Sequence, residues 1–356
     1  MVGDYLGIYI ILLISVLISI FLEINYSNLQ INEININIKK ISFFVCFFVI
    51  LIIGVLRSEN LGVDVDNYKI YFDFYSSVGV KYFASNYKYD IGFVLLNKFI
   101  RIFTDNFRIF ENVVFLICHC IFSYIIYKRS DYPALSFLIY IGLGFLGFNL
   151  CILRQAIAYS ICFLSFDYLK NDKMIKYLML VILALSFHKT AIFFIISYFI
   201  SREKYNNLSL IKKIVLIALS TLTAIFLLPK LYIFYANDYS DISISGQGYK
   251  LLLLYILLSL ILKVVLNINE KNINNKDYEV SFGSIYFQIV SLKFSVFTRV
   301  ANYYSLLFTI SIPNIINSSK YKKLLCFIFA FIFSMMYIYI LFTDGCEIVP
   351  YEFFFA

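Results

Sequence analysis

Runs of about 15–20 apolar residues recur from one end of this sequence to the other, and a helix of about 20 such residues crosses a hydrocarbon core. Of the 356 residues, 62% are hydrophobic and 15% charged, whereas soluble domains carry roughly a quarter charged residues. The fold class that follows is all-α: a polytopic integral membrane protein of about twelve membrane helices, some short or re-entrant. The spans read as 5–22, 41–56, 110–127, 133–150, 154–169, 174–187, 190–200, 211–228, 251–266, 282–297, 300–316 and 324–342. The whole chain, 1–356, forms one integral membrane domain. Its longest polar stretch, 57–108, reads as a large outer loop containing amphipathic helices. The first apolar run has no basic residues before it and no small-residue cleavage site, so it is expected to stay as a span.

The formal net charge of +8 does not point to nucleic acid. The lysines are scattered through short loops, as the positive-inside rule produces. Cys46, Cys118, Cys120, Cys162 and Cys326 lie within apolar runs and read as small buried hydrophobes. "CHC" at Cys118–Cys120 resembles a ligand cluster, but consecutive helical positions point about 100° apart. No metal and no cofactor is expected. The polar "NINEKNINNKDYE" from Asn267 reads as a solvated loop.

Every second short loop is basic. Lys39 and Lys40, Lys128 and Arg129, Lys170 with Lys173 and Lys176, Arg202 with Lys204, Lys212 and Lys213, Lys271 and Lys276, and Lys320 with Lys322 and Lys323 mark these loops. They face the cytoplasm. The alternate loops, the 57–108 segment and both termini then face outward.

"MIKYLMLVILALSFHKTAIFFIISYFI", residues 174–200, has basic flanks on both sides. Both ends therefore belong inside, and the block folds as a hairpin with His188 and Lys189 at its turn. Arms of 14 and 11 residues are about 21 and 17 Å long at 1.5 Å per residue, against a core of ~30 Å. The turn should lie in a recess.

Ionisable residues gather at this outer side. Arg57 closes the second span, and Asp64 and Asp66 follow it in "RSENLGVDVDNY". Arg154 opens a helix in "LRQAIAYS", where its charge opposes the macrodipole. His188 and Lys189 occupy the hairpin turn, Arg299 lies in "FTRVANYY", and Glu111 lies just inside the third span. Each has a structural reading too. Arg57 suits an interfacial anchor, Asp64 and Asp66 a solvated loop, His188 a hydrogen-bonded helix cap, and Arg299 a snorkelling cation. In extended backbone, residues two apart share a side, so the aspartates could hold a cation. Together the residues outline a cationic cavity, and arginine forks match phosphate oxygens. The aromatic residues of "NYKIYFDFYSS" and "KYFASNYKYD" suit stacking on sugars or an interfacial belt.

These landmarks resemble the EpsG-like, Wzy-type bacterial polysaccharide polymerases. The matching segments run in order: Arg57 then "GVDVDNYKIYF"; "YDIGFVLLNKF", with Asp90 where Glu is more usual; "LRQAIAYSI"; "ALSFHKTAIF", with Thr190 in place of Ser; and "FTRVANYY" followed by Pro313. The resemblance implies polymerisation of undecaprenyl-pyrophosphate-linked oligosaccharide repeat units into O-antigen, capsule or exopolysaccharide. The reaction takes place at the outer face of the bacterial cytoplasmic membrane. The partners are that lipid-linked oligosaccharide, the lipid bilayer, and chain-length regulator and flippase proteins. Carried onto this sequence, Arg154 and Arg299 stabilise the pyrophosphate and His188 or Asp64 is the base. Arg57, Asp66, Tyr68, Gln155, Lys189 and Tyr303 contact substrate. Two alternatives stand beside this. One is a sugar transferase with a polyprenyl-phosphate donor, using Asp64 and Asp66 to bind a divalent metal. The other is a flippase or exporter, which would line both halves of a central path with cations and carry internal repeats; neither is visible.

Overall fold

The computed structural model describes residues 3–26, 28–31, 34–77, 90–201, 248–268 and 276–355. The expected span 211–228, the aromatic segment 81–89 and most of the polar loop after Asn267 lie outside them.

Among the described residues, the regular structure is helical apart from one two-stranded ribbon. Helix α1 (Gly3–Asn25) leads into strands β1 (Asn28–Ile31) and β2 (Ile34–Asn37), which pair antiparallel with Asn28 opposite Asn37. Helix α2 (Ile38–Leu56) starts where the Asn37 side chain accepts the Lys40 N–H. Among the described residues of the 57–108 segment, two shorter helices follow, α3 (Val65–Ser77) and α4 (Ile91–Arg101). Next comes α5 (Phe107–Arg129), whose first turn is capped by the Asn106 side chain accepting the Arg108 N–H. The chain continues through α6 (Pro133–Gly142), α7 (Phe145–Cys151), α8 (Leu153–Lys170) and α9 (Met174–Leu185). A 3₁₀ segment (Lys189–Ile195) runs into α10 (Ile196–Ile200). The last part holds α11 (Gly248–Ile268), α12 (Lys276–Ser281), α13 (Gly283–Ser291), α14 (Val296–Ser305), α15 (Phe308–Ser318) and α16 (Lys322–Thr343).

Among the described residues, five helices are long and apolar enough to cross a bilayer: α1 from Leu6, α2, α5, α11 and α16. The pair α6 and α7 makes a sixth if counted as one span, bent by 62°. The expected count of about twelve is thus not matched by continuous helices. The straight span read over 133–150 is broken at Gly144, whose φ of +84° suits a residue without Cβ. The expected span 300–316 is likewise divided between α14 and α15. Hydropathy detects an apolar stretch; it does not detect a bend within it.

Hydrogen bonds sort the helix ends into two sets. At one end, Lys128 and Arg129 bind the Asp167 carboxylate, Lys170 binds Asp277, and the Lys323 ammonium donates to Asn25 Oδ1 at 3.3 Å. These are the basic loops of the sequence reading. At the other end lie Arg57, Asp90, Arg154, His188 and the C-terminal segment. Helix α1 joins the two ends: Tyr9 donates to the Ile348 carbonyl at 2.8 Å, and Asn25 meets Lys323.

The 174–200 hairpin forms. Tyr177 on α9 donates to the Phe194 carbonyl at 2.6 Å and lies 2.8 Å from Ser197 Oγ, which fixes the two arms antiparallel. The second arm is mostly 3₁₀, a tighter winding seldom sustained beyond a few residues. At 1.5 and 2.0 Å per residue the arms are about 18 and 21 Å long, still short of a ~30 Å core.

The C-terminal segment returns along the bundle end as a strap. Asp344 ends α16 with φ +40°, and its carboxylate accepts the Ile348 N–H at 2.8 Å and the Val349 N–H at 3.1 Å. Ser58 N–H then donates to Glu352 O at 2.8 Å, Phe354 N–H to Leu56 O at 3.1 Å, and the Tyr351 hydroxyl to Ile53 O at 2.9 Å. The strap thereby takes up backbone groups that the end of α2 leaves unpaired.

Candidate active site

The hairpin turn is the centre of the site. His188, 4% exposed, has extended backbone (φ −156°, ψ 122°) and caps the 3₁₀ segment. Its Nδ1 lies 2.7 Å from Thr190 Oγ1 and accepts the Thr190 backbone N–H at 3.4 Å. A backbone N–H can only donate. Nδ1 therefore presents its lone pair, and the neutral ring carries its proton on Nε2. Thr190 Oγ1 is in turn 3.3 Å from the Tyr303 hydroxyl. The hydroxyl two residues after the histidine in "FHKT" adds a second contact to Nδ1 and links the ring to Tyr303.

Three cations act on this ring. Burial and then the charges of Arg154, Arg299 and Lys189 push the His188 pKa well below the ordinary histidine value. Burial and these charges thus favour the neutral imidazole over the imidazolium.

Arg154 sits in the first turn of α8, at the positive end of the helix. Two neighbours answer its charge. Asp90 Oδ2 is 3.8 Å from Nη1, and the Tyr68 phenol hydrogen-bonds to Arg154. Burial raises the Asp90 pKa, and Arg154, Lys189 and the Lys189 backbone N–H oppose the rise. Asp90 thus ties the outer segment to both the α8 start and the hairpin turn. Burial likewise raises the Tyr68 pKa. The Tyr68 ring packs on Phe93, with centroids 5.3 Å apart, and Phe93 packs on Phe110 of α5.

The glycine of "YDIGF" has a plain role. Gly92 N–H donates to Ser186 O at 2.7 Å, and a Cβ at Gly92 would lie 2.3 Å from Ser186 Oγ and 2.8 Å from Ser186 O. Helix α4 therefore docks by its backbone on the hairpin turn. Gly92→Ala is expected to push them apart and to lower activity at least tenfold while the protein still inserts. Normal activity would show that this docking is dispensable.

Arg299, on α14, is half-buried, and its carbonyl accepts the Tyr159 hydroxyl at 2.9 Å. Tyr159 also receives the Gln155 side-chain N–H and meets Tyr303 edge to face, centroids 4.5 Å apart. Gln155 and Tyr303 are each 2% exposed. They stand behind the site, where Gln155 braces Tyr159 and Tyr303 braces Thr190. Lys189 is exposed.

Two expectations change. Arg57 is not among the cations whose charge reaches His188. It is 1% exposed, pairs with Glu111 Oε1 at 3.3 Å, donates to Gly54 O at 3.2 Å and is covered by the strap. Its burial and its partner give it a structural role at the junction of α2 and α5. The second change concerns Asp64 and Asp66. The extended backbone assumed for that pair is absent, because Asp64 lies in a turn and Asp66 in the first turn of α3. Asp64 is half-buried and Asp66 exposed, so they do not share a side. Among the described residues, no group of three or more His, Cys, Asp or Glu side chains is placed to hold a metal.

Asp90, Gly92, Thr190 and Tyr159 were not singled out as site residues from the sequence. All four lie inside the quoted motifs, and that was the signal available.

Fold and site together define a polytopic helical membrane protein that gathers cations and a half-buried carboxylate around a buried histidine at one end of its bundle. Residues 39–353 match the EpsG family, and the chain belongs to that family. Membership indicates a polysaccharide biosynthesis polymerase with glycosyltransferase-like chemistry. The match runs past the motifs into the strap. Comparison with curated proteins and with solved structures gives no match.

Proposed function

We propose that this protein joins undecaprenyl-pyrophosphate-linked oligosaccharide repeat units at the outer face of the cytoplasmic membrane. The observation that carries the reading is the convergence of Arg154, Arg299 and Lys189 on the neutral His188. In the reaction, an acceptor hydroxyl of one repeat unit attacks the anomeric carbon of the growing chain. The bond from that carbon to the pyrophosphate oxygen breaks, and negative charge builds on the leaving group. Arg154 and Arg299 lie where that charge needs fixed cations, and His188 Nε2–H donates to a phosphate oxygen. The acceptor proton goes to a carboxylate. Asp90 suits this best, since burial makes it a stronger base than an exposed aspartate, and Asp64 is its rival. The arginines supply the charge stabilisation that a metal would supply in the sugar-transferase alternative, so activity should survive chelation.

This reading separates two roles for the histidine. His188→Gln places an amide N–H near the position of Nε2–H and cannot shuttle a proton. It is expected to retain a third or more of wild-type polymerisation in membrane vesicles, with His188→Ala below a tenth. Equal, near-complete losses in both would make His188 the base and overturn the donor role. Asp90→Asn should be inactive in the same assay; an active variant moves the base to Asp64.

Orientation has its own test. Cys346, half-buried on the strap, should react with a membrane-impermeant maleimide in spheroplasts whose thiols are kept reduced. Labelling only after the membrane is opened would put the site on the cytoplasmic face.

A further inference from the structure

Two free thiols meet beside the site. Cys151 is the last residue of α7, three positions before Arg154, and Cys346 begins the strap. Their side chains interact. The backbone places them independently. A Cβ on Gly147 would lie 3.1 Å from Cys346 Sγ, and residues four apart lie on the same helix face, so Cys346 Sγ rests on the face that ends in Cys151. The loop before α3 passes against both residues. Val63 N–H donates to Cys346 O at 3.1 Å. Gly62, with φ +124°, is pressed on Cys151, and a Cβ there would lie 2.8 Å from Cys151 Cβ. That loop leads to Asp64 and to Tyr68, which hydrogen-bonds to Arg154.

We propose that Cys151 and Cys346 form a disulfide that pins the strap across the Leu61–Asp64 loop and holds the outer segment against the start of α8. The chemistry is thiol–disulfide exchange with an external disulfide. The half-exposed Cys346, as thiolate, attacks one sulfur of the oxidant and releases one thiol. The Cys151 thiolate then attacks the Cys346 sulfur and releases the second. Two protein thiols become one disulfide, the oxidant disulfide is reduced to two thiols, and the protons balance. The remaining cysteines do not compete: Cys46, Cys118, Cys162 and Cys326 are buried within other helices, and Cys120 lies on α5, whose last turn carries the basic residues of the other end.

The bridge requires an oxidising compartment, so its use in the cell rests on the outward orientation above, but its formation can be tested without it. Purified full-length protein is incubated with oxidised glutathione, denatured, and alkylated with a mass-tagged maleimide. Wild type should fall from seven tags to five, with a Cys151–Cys346 linked peptide by mass spectrometry and a higher Tm that reductant reverses. Cys346→Ser should carry six tags under both conditions, whereas Cys151→Ser should carry six without oxidant and five plus one glutathione adduct with it, because the mixed disulfide on Cys346 then has no resolving thiol. Seven tags on oxidised wild type, or a linked peptide between other cysteines, overturns the proposal. In spheroplasts, Cys346 should label with the impermeant reagent only after reduction. Labelling without reduction refutes the bridge in the cell, whereas labelling only after permeabilisation refutes the orientation and leaves the purified-protein result standing.

Discussion

Arg154→Lys is expected to polymerise at well under a tenth of the wild-type rate, a loss of at least ~1.4 kcal/mol of transition-state stabilisation. Lysine keeps the charge. It lacks the planar fork that can engage two phosphate oxygens while part of the guanidinium faces Asp90 and Tyr68. The side chain is 16% exposed, so solvent offers little replacement for the lost donors. A shorter reach from lysine would also leave the Asp90 carboxylate, already destabilised by burial, without its nearest guanidinium. The measurement is polymer length and rate in membranes with protein levels matched by immunoblot. Near-full activity of Arg154→Lys would reduce the role of Arg154 to general electrostatics. The same substitution at Arg299 should give a smaller loss, since that side chain sits on a different helix and leaves Asp90 paired.

The largest loss of stability should come from Glu111→Leu. Glu111 and Arg57 are nearly inaccessible, with side chains 2% and 1% exposed. Removing one partner of a buried pair leaves an uncompensated charge and costs roughly 3–5 kcal/mol. The Phe115 ring 5.8 Å below the guanidinium offers only partial compensation. The double variant Arg57→Met with Glu111→Leu should recover most of the loss, because two apolar side chains of similar volume often replace a buried ion pair at little cost. Thermal unfolding in detergent measures both. A single variant as stable as wild type would mean that water enters this junction. If instead the double variant folds well but is inactive, Arg57 serves the substrate as the sequence first suggested.

Much of this was legible from residue order. Basic loops alternating with apolar runs grouped Lys128, Arg129, Lys170 and Lys323 at the bundle end away from His188, because loop charge is a local property that packing does not alter. The hairpin at His188 followed from its basic flanks and short arms, and Tyr177 bonded to Phe194 is its physical signature. What the sequence could not express was pairing across the chain. Arg57 and Asp64 look alike as charged residues near a helix end, but one is neutralised by Glu111 and the other lies beside Tyr68. The D-x-D spacing was misleading for a related reason: a two-residue period has meaning only in extended backbone, and α3 begins between the two aspartates. Gln155 and Tyr303 carry no mark in sequence that distinguishes a substrate contact from a brace. The bend at Gly144 is invisible to hydropathy because both of its arms are apolar.

The shortness of the hairpin arms limits what the protein can measure. Arms of about 18 and 21 Å fall roughly 10 Å short of a ~30 Å core, so in the proposed orientation the His188 turn would sit below the outer plane of the hydrocarbon. In the proposed reaction, the groups that must reach that depth are the pyrophosphate and the sugar joined to it. The units added earlier would then extend away from this turn and take no part in the bond being made. On the proposed function, each addition would use the same contacts at His188 whatever the number of units already joined, so the site itself would set no polymer length.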